Sequence, residues 1–208
     1  MVGEGVLNEC LNNDTIGQIL VINRRPCGIT HSKLKEIIHS DFLDLLPIEQ
    51  EFKDFNACFF CLGVSSVGMK EDRYRHLTYD LTMHMAELLA KNNPNLIFCY
   101  ISGAATDSSE KGKVMWARVK GKTENDLMKL SFKKVYNFHP GLLIPTKGAK
   151  YTHKFYKYFR WLIPIMKIFA PRYVCTLKEL GLAMINSVWK GYSKNILEIA
   201  DIKSIAQE

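Results

Sequence analysis

The chain reads as an α/β protein, a three-layer doubly wound parallel sheet with helices on both faces. Three observations predict it. Apolar runs at 19–22, 57–64, 96–101 and 134–138 alternate with segments whose apolar residues recur every three or four positions, the order that parallel strands and crossover helices require. The run at 96–101 (LIFCYI) is continuously apolar, as a strand covered on both faces must be. It then breaks into a small polar loop at 102–112, after which Met115, Trp116, Val119 and Lys120 fall at helical spacing. Strand, polar loop and helix in that order put hydroxyls at the carboxyl end of a parallel sheet, where open α/β folds bind ligands. Trp116 and Lys120, four apart, share one helix face and can look into the same crevice.

Taken in order, 1–13 (MVGEGVLNECLNN) predicts a helix with Val6, Leu7, Cys10 and Leu11 on one face and Gly3 and Gly5 in its first turn. The strand at 19–22 ends in Asn23-Arg24-Arg25-Pro26. The spacing from Gly3 to Asn23–Arg25 matches the back half of a dinucleotide-binding fingerprint. There a glycine opens the first helix, and the residue reading the adenosine ribose lies about 20 positions on. A carboxylate at that position would accept from a ribose 2′-hydroxyl; guanidinium groups pair with a 2′-phosphate. Arg24 and Arg25 therefore point to NADP, the bland alternative being a solvated basic turn. Residues 32–39 predict a short helix or helix–strand transition, and Asp41 stands where a carboxylate can meet adenine or simply belong to a loop. Residues 47–52 predict a short helix. The run at 57–64 (ACFFCLGV) predicts a fully buried strand passing through Cys61 and Leu62 into Gly63, where a missing Cβ lets backbone approach a cofactor.

The longest helical pattern is 71–93, with Tyr74, Leu77, Leu81, Met85, Leu88 and Leu89 as its apolar stripe. Thr78, Tyr79 and Thr82 could reach the crevice from it, whereas His76 and His84 have no partners at metal spacing. The strand at 134–138 runs into His139-Pro140-Gly141, a rigid turn able to close over a nicotinamide. The aromatic, basic segment 151–169, interrupted by Pro164, is too short in its apolar part to span a bilayer. It reads as a substrate-side lid or as a membrane-surface contact. Residues 176–190 predict an amphipathic helix, and 197–205 a terminal strand or helix.

Composition sets the bounds. With 208 residues the chain suits one domain, 1–208, with 142–175 as a small lid segment. Its net charge of +7 is spread along the sequence; it suits an anionic cofactor, nucleic acid or an acidic membrane surface and alone decides nothing, and nucleic acid has no other feature behind it. Six cysteines lie mostly within apolar runs, consistent with reduced thiols and a cytoplasmic setting. The Cys58–Cys61 pair sits in a strand pattern, so neither a zinc nor a redox role is expected, and no metal site.

With strand-end glycines, Arg24-Arg25 and the pieces MVGEGVL, FFCLGVSS, YISGA, MWARVKGKTEN and FHPG, the whole chain resembles the atypical short-chain dehydrogenase/reductase superfamily. It is most similar to the bacterial NAD-dependent epimerase/dehydratase-like group of Rossmann proteins. The resemblance implies a dinucleotide cofactor, NADP with NAD as the alternative, and a small-molecule substrate. It assigns Gly3 to the phosphate loop, Arg24 to NADP selection, and Gly63 and Pro140-Gly141 to strand-end turns over the cofactor. It also assigns Ser102 to the active-site serine and Lys120 to the lysine of the Tyr-x-x-x-Lys pair. The family's first strand and first two glycines would lie upstream of Met1; strand exchange within a homo-oligomer is a second way to supply the strand. The tyrosine position is Trp116, whose indole N–H is no acid or base near neutral pH. The expected function is therefore an NAD(P)-binding oxidoreductase-like protein with a degenerate site, in which Tyr79, Asp107 or a loop serine would have to supply the proton. The alternative is a non-catalytic cofactor-binding sensor or interaction protein, with peripheral membrane contact through 151–169.

Overall fold

A computed structural model describes residues 1–145 and 171–208. The expected lid or membrane segment at 151–169 lies outside the described residues. Among the described residues every strand pairing is parallel, which makes the molecule the α/β protein expected. The residues fall into two compact units: 1–41 with 141–189 and 199–208, and 42–140 with 190–198.

In the first unit the N-terminal segment is helix α1 (Val2–Leu11), with Val6, Leu7 and Cys10 buried. Strands β1 (Ile19–Asn23) and β2 (Leu34–Ile38) form a two-stranded ladder. The helix or helix–strand transition expected over 32–39 is thus a strand. Lys35 and Ile38 are exposed and its other residues half-buried, and ladder pairing to β1 (Ile19 opposite Leu34 through Asn23 opposite Ile38) outweighs local helix propensity.

The second unit holds the site. Strands β3 (Ala57–Phe60), β4 (Ile97–Ile101), β5 (Lys134–His139) and β8 (Ile196–Glu198) form one sheet in that order. β3 is shorter than the expected 57–64 run and only Phe60 is buried, so Cys61, Leu62 and Gly63 belong to the loop after it. β4 is buried along its whole length. The register sets Phe60 opposite Tyr100, Ile101 opposite Phe138 and His139 opposite Glu198, so the carboxyl ends of these strands are aligned side by side.

The predicted helix at 71–93 is observed as α2 (Glu71–Arg75), a π-helical stretch (His76–Asp80) and α3 (Leu81–Asn92) in direct succession. The wider π turn shifts the phase. Thr78 and Thr82 are buried where the straight-helix stripe put Leu77 and Leu81, which are only half-buried. Helix α4 (Met115–Leu127) follows β4.

The remaining elements return to the first unit. β6 (Leu142–Ile144) pairs with β7 (Val174–Thr176), a ladder the sequence did not announce. A 3₁₀ turn (Pro171–Tyr173) precedes β7, and a Cβ on Gly141 would meet Tyr173 O at 2.5 Å. Helix α5 (Leu177–Trp189) opens with a capping box: Thr176 N donates to Glu179 Oε2 (2.7 Å) and Glu179 N donates to Thr176 Oγ1 (3.1 Å). α5 packs against α1 through glycines, since a Cβ on Gly5 would lie 2.7 Å from Leu177 Cβ and one on Gly181 2.7 Å from Glu9 Cγ. The terminal segment is both forms expected, β8 followed by helix α6 (Ile199–Ala206). Among the described residues no helix is long and apolar enough to cross a membrane.

Candidate active site

β4 is continuously apolar through Ile101, and Ser102 is its first polar residue. The loop that follows turns back on α4 because α4 carries a glycine at the contact: a Cβ on Gly121 would overlap the carbonyl oxygen of Asp107. Asp107 shapes the loop, accepting from Ser109 N (3.0 Å), Ser109 Oγ (2.6 Å) and Gly112 N (2.6 Å). These bonds, the Ser109 hydroxyl first, hold its carboxyl below the usual range. It stays an ionised acceptor and cannot supply a proton.

α4 then presents Trp116, Lys120 and Glu124 at successive four-residue intervals, so they line one face. The Trp116 ring lies 3.6 Å from where a Cβ on Gly103 would be. Lys120 Nζ donates to Ile101 O (3.1 Å) and sits 5.1 Å from the Tyr100 ring centre. Burial pushes its ammonium down to about 8, against the opposing charge of Glu124. Glu124 is fully buried; its Oε1 accepts from Ser102 Oγ and lies 2.9 Å from His139 Nε2. His139 Nδ1 lies 2.9 Å from Glu198 Oε1. Desolvation alone would lower the imidazole pKa, but the hydrogen bond and charge of Glu124, then Glu198, outweigh it and raise it above the ordinary value. Thr106 Oγ1 lies 3.1 Å from Ser102 Oγ and donates to Gly103 O (2.6 Å).

Ser102, Trp116 and Lys120 are therefore brought together at the carboxyl end of β4. Tyr79 is not with them. Its hydroxyl donates to Asp126 Oδ2 (2.7 Å), and its ring receives Arg75 and Lys122 at 5.4 and 5.1 Å. Lys122 is two residues beyond Lys120, roughly 200° around α4, so Tyr79 occupies the other side of that helix. Desolvation, then the bond and charge of Asp126, raise its pKa further. A proton from Tyr79 thus serves neither Ser102 nor Lys120.

Other residues singled out in the sequence are dispersed. Gly3 is exposed in the first turn of α1, where backbone N–H groups lack intrahelical acceptors. Asn23 ends β1 with its amide donating to Glu36 Oε1 (2.8 Å), which also accepts from Cys27 N (2.8 Å). Arg24, Arg25 and Asp41 are exposed. A Cβ on Gly63 would meet nothing within 4 Å among the described residues. Pro140 directly follows β5, and Gly141 belongs to the first unit. Cys58 is driven up in pKa by burial first and then by Cys61, and no group of metal-binding residues occurs among the described residues.

Nothing in the sequence singled out Glu124, Thr106 stood only as part of the polar Thr106–Ser109 loop, and His139 only for its turn. The four-residue spacing from Lys120 to Glu124 was visible; the hydrogen bonds depend on which strand ends lie side by side.

No family model matches the chain. Among curated proteins, it is 24% identical over 157 residues to protein FMP52-1, mitochondrial, of Scheffersomyces stipitis, covering 74% of this chain and 66% of that protein. It is 25% identical over 144 residues to protein HTATIP2 of Rattus norvegicus, covering 68% and 58%. The chain thus spans about three-fifths to two-thirds of these relatives' length. Among solved structures, it is similar to the Bordetella bronchiseptica enzyme WbmG in complex with NAD (TM-score 0.69, 11% identity, 99% of this chain and 74% of that one). A Thermotoga maritima UDP-glucose 4-epimerase with UDP-glucose gives TM-score 0.67 at 12% identity over 100% and 78%. The fold is the Rossmann-like α/β fold that these solved structures share.

Proposed function

We propose that the protein binds a nicotinamide dinucleotide, with NADP preferred, and works as an oxidoreductase-like protein whose Tyr-x-x-x-Lys site is degenerate at Trp116. The observation that carries this reading is the seat of Lys120. Its ammonium is tethered to the last carbonyl of β4 by one hydrogen bond, and an ammonium has three hydrogens, so donors remain for the hydroxyls of a nicotinamide ribose. Gly63, whose Cβ position meets no described residue within 4 Å, suits a cofactor approaching the loop after β3. The first turn of α1, where Gly3 is exposed, suits a pyrophosphate. The exposed guanidinium groups of Arg24 and Arg25 suit a 2′-phosphate. Asn23 and Asp41 complete the adenosine side of this proposal, and Cys61, Leu62, His139, Pro140 and Gly141 the strand-end turns. The cofactor, when bound, supplies or accepts hydride; Lys120 orients its ribose, and Trp116 covers Gly103 without donating or accepting a proton. The substrate is a small molecule, and the NAD-bound and nucleotide-sugar-bound neighbours favour a sugar-like one.

Fluorescence titration tests the proposal. NADPH should bind more tightly than NADH, and Arg24→Asp should invert the order by about tenfold or more, since one charge-assisted hydrogen bond contributes roughly 1.5–3 kcal/mol. Equal affinities in the wild-type chain would remove the role of Arg24, and no binding of either nucleotide would remove the proposal. The second reading, a cofactor-binding sensor with little turnover, draws on the same Trp116, which leaves no tyrosine at the usual proton-donor position. A cytoplasmic setting, self-association and a peripheral membrane contact through 151–169 remain parts of the proposal. The word mitochondrial in the yeast relatives' names points to a competing compartment, which cell fractionation decides.

A further inference from the structure

We propose that Ser102, Glu124, His139 and Glu198 form a proton path joining solvent beside β8 to the hydroxyl at the end of β4, in place of the missing tyrosine. Three aligned strand ends build it. Ser102 follows Ile101, which pairs with Phe138; His139 is the next residue on β5 and itself pairs with Glu198 on β8. Glu124 reaches in from α4 and bridges Ser102 to His139. Exposure rises along the path: the side chains of Glu124 and His139 are 0% and 5% exposed, that of Glu198 58%.

Two features separate this arrangement from a structural network. A buried carboxylate is costly to keep unless its oxygens are engaged, yet Glu124 Oε2 is buried with no hydrogen-bond partner among the described residues. That oxygen gives the carboxyl a second place to hold a proton while Oε1 exchanges one. His139 engages a carboxylate with each ring nitrogen, so a proton can enter at Nδ1 and leave at Nε2. At the inner end, the single hydroxyl proton of Ser102 has two oxygens within reach, Glu124 Oε1 and Thr106 Oγ1, and rotation of the hydroxyl switches between them.

The transfers balance link by link. As Ser102 Oγ gives its proton to an acceptor oxygen bound beside it, it takes one from the Glu124 carboxyl. Glu124 takes one from His139 Nε2 as the neutral ring gains one at Nδ1 from the Glu198 carboxyl, passing from its Nε2–H to its Nδ1–H tautomer, and Glu198 takes one from water. Each link forms one O–H or N–H bond and breaks another, and no electrons change hands. Net, one proton passes from solvent to the acceptor, and the reverse sequence removes one. The charged groups bearing on His139 are Glu124 from α4 and Glu198 from β8, with Lys120 one turn behind Glu124; Asn137 lies two residues back on β5.

The identity of the acceptor rests on the function proposed above, but the path is testable in the full chain without cofactor. Histidine-labelled protein, with His139→Gln to assign the signals, reports the ring protons of His139 by NMR. The arrangement predicts that the ring takes its second proton at a higher pH than a free imidazole. It also predicts exchange of the Nε2 proton with water that Glu198→Gln slows by about tenfold or more and Glu198→Asp restores, with the melting temperature of Glu198→Gln close to wild type. A ring that titrates no higher than a free imidazole, or an exchange rate indifferent to Glu198→Gln, overturns the path. Failure of NADPH to bind in the titration overturns the cofactor reading and leaves this result standing.

Discussion

His139 shows most directly how a single residue's setting sets a measurable property of the molecule. Its pKa is raised above the ordinary 6.5 because Glu124 and Glu198 together outweigh desolvation. A raised base stabilises the fold fully below its unfolded pKa and loses that contribution as pH climbs through its folded pKa. Unfolding free energy from denaturant titration should therefore fall as pH rises from about 6.5 through the raised value, and His139→Gln should flatten that part of the profile. A profile identical in wild type and variant would remove the carboxylate–imidazole–carboxylate arrangement. Trp116 is the second residue with a direct test. It stands four residues before Lys120, against Gly103, and its indole carries no exchangeable acid–base proton. Trp116→Tyr should raise NADPH-dependent carbonyl reduction by about a hundredfold, the lower range of general acid catalysis, whereas Trp116→Phe should leave the rate unchanged. A large loss in Trp116→Phe would mean that the tryptophan itself takes part.

At the scale of elements, α4 organises the site. Its Trp116, Lys120 and Glu124 face the end of β4, while Tyr79, Lys122 and Asp126 cluster on its other side. Asp126 also accepts from Lys129 Nζ (2.7 Å), and against desolvation these partners hold its carboxyl low. Gly121 is what lets the β4–α4 loop lie on the helix. Gly121→Ala should force the Asp107 backbone away and destabilise the protein by about 2 kcal/mol, despite alanine's better helix propensity. Thermal unfolding would check it, and a stabilised variant would mean that the loop does not rest there. The preceding helix teaches a related lesson. Its existence and length were legible at 71–93 from periodicity, as were Tyr74, Met85 and Leu89 on its buried face, but the burial of Thr78 and Thr82 in place of Leu77 and Leu81 was not, because the π turn at His76–Asp80 shifts the phase there. β2 was misread for a similar reason: SKLKEIIH carries no strict alternation, and pairing with β1 decides its form.

For the molecule as a whole, the parallel α/β class, the existence of β1, β3, β4 and β5, the N-terminal helix and α4 were all readable in the chain, although β3 is shorter than the 57–64 run. So was the meeting of Ser102, Trp116 and Lys120, since a strand end and one helix face are local properties. The ladder of β6 with β7 was not, because three-residue strands carry too little pattern. The solvent-side members of the proton path were equally hidden. Ser102, Glu124, His139 and Glu198 span 97 positions of sequence. They meet because β4, β5 and β8 pair in a register that aligns their carboxyl ends. The sequence by itself determined the class of fold, the polar break after β4 and the tryptophan before Lys120, all consequences of short-range periodicity and residue chemistry. Only the tertiary structure decided that Tyr79 turns to Asp126 and that a buried glutamate joins a serine to a histidine. Those contacts follow from helix phase and strand register, which no single segment encodes.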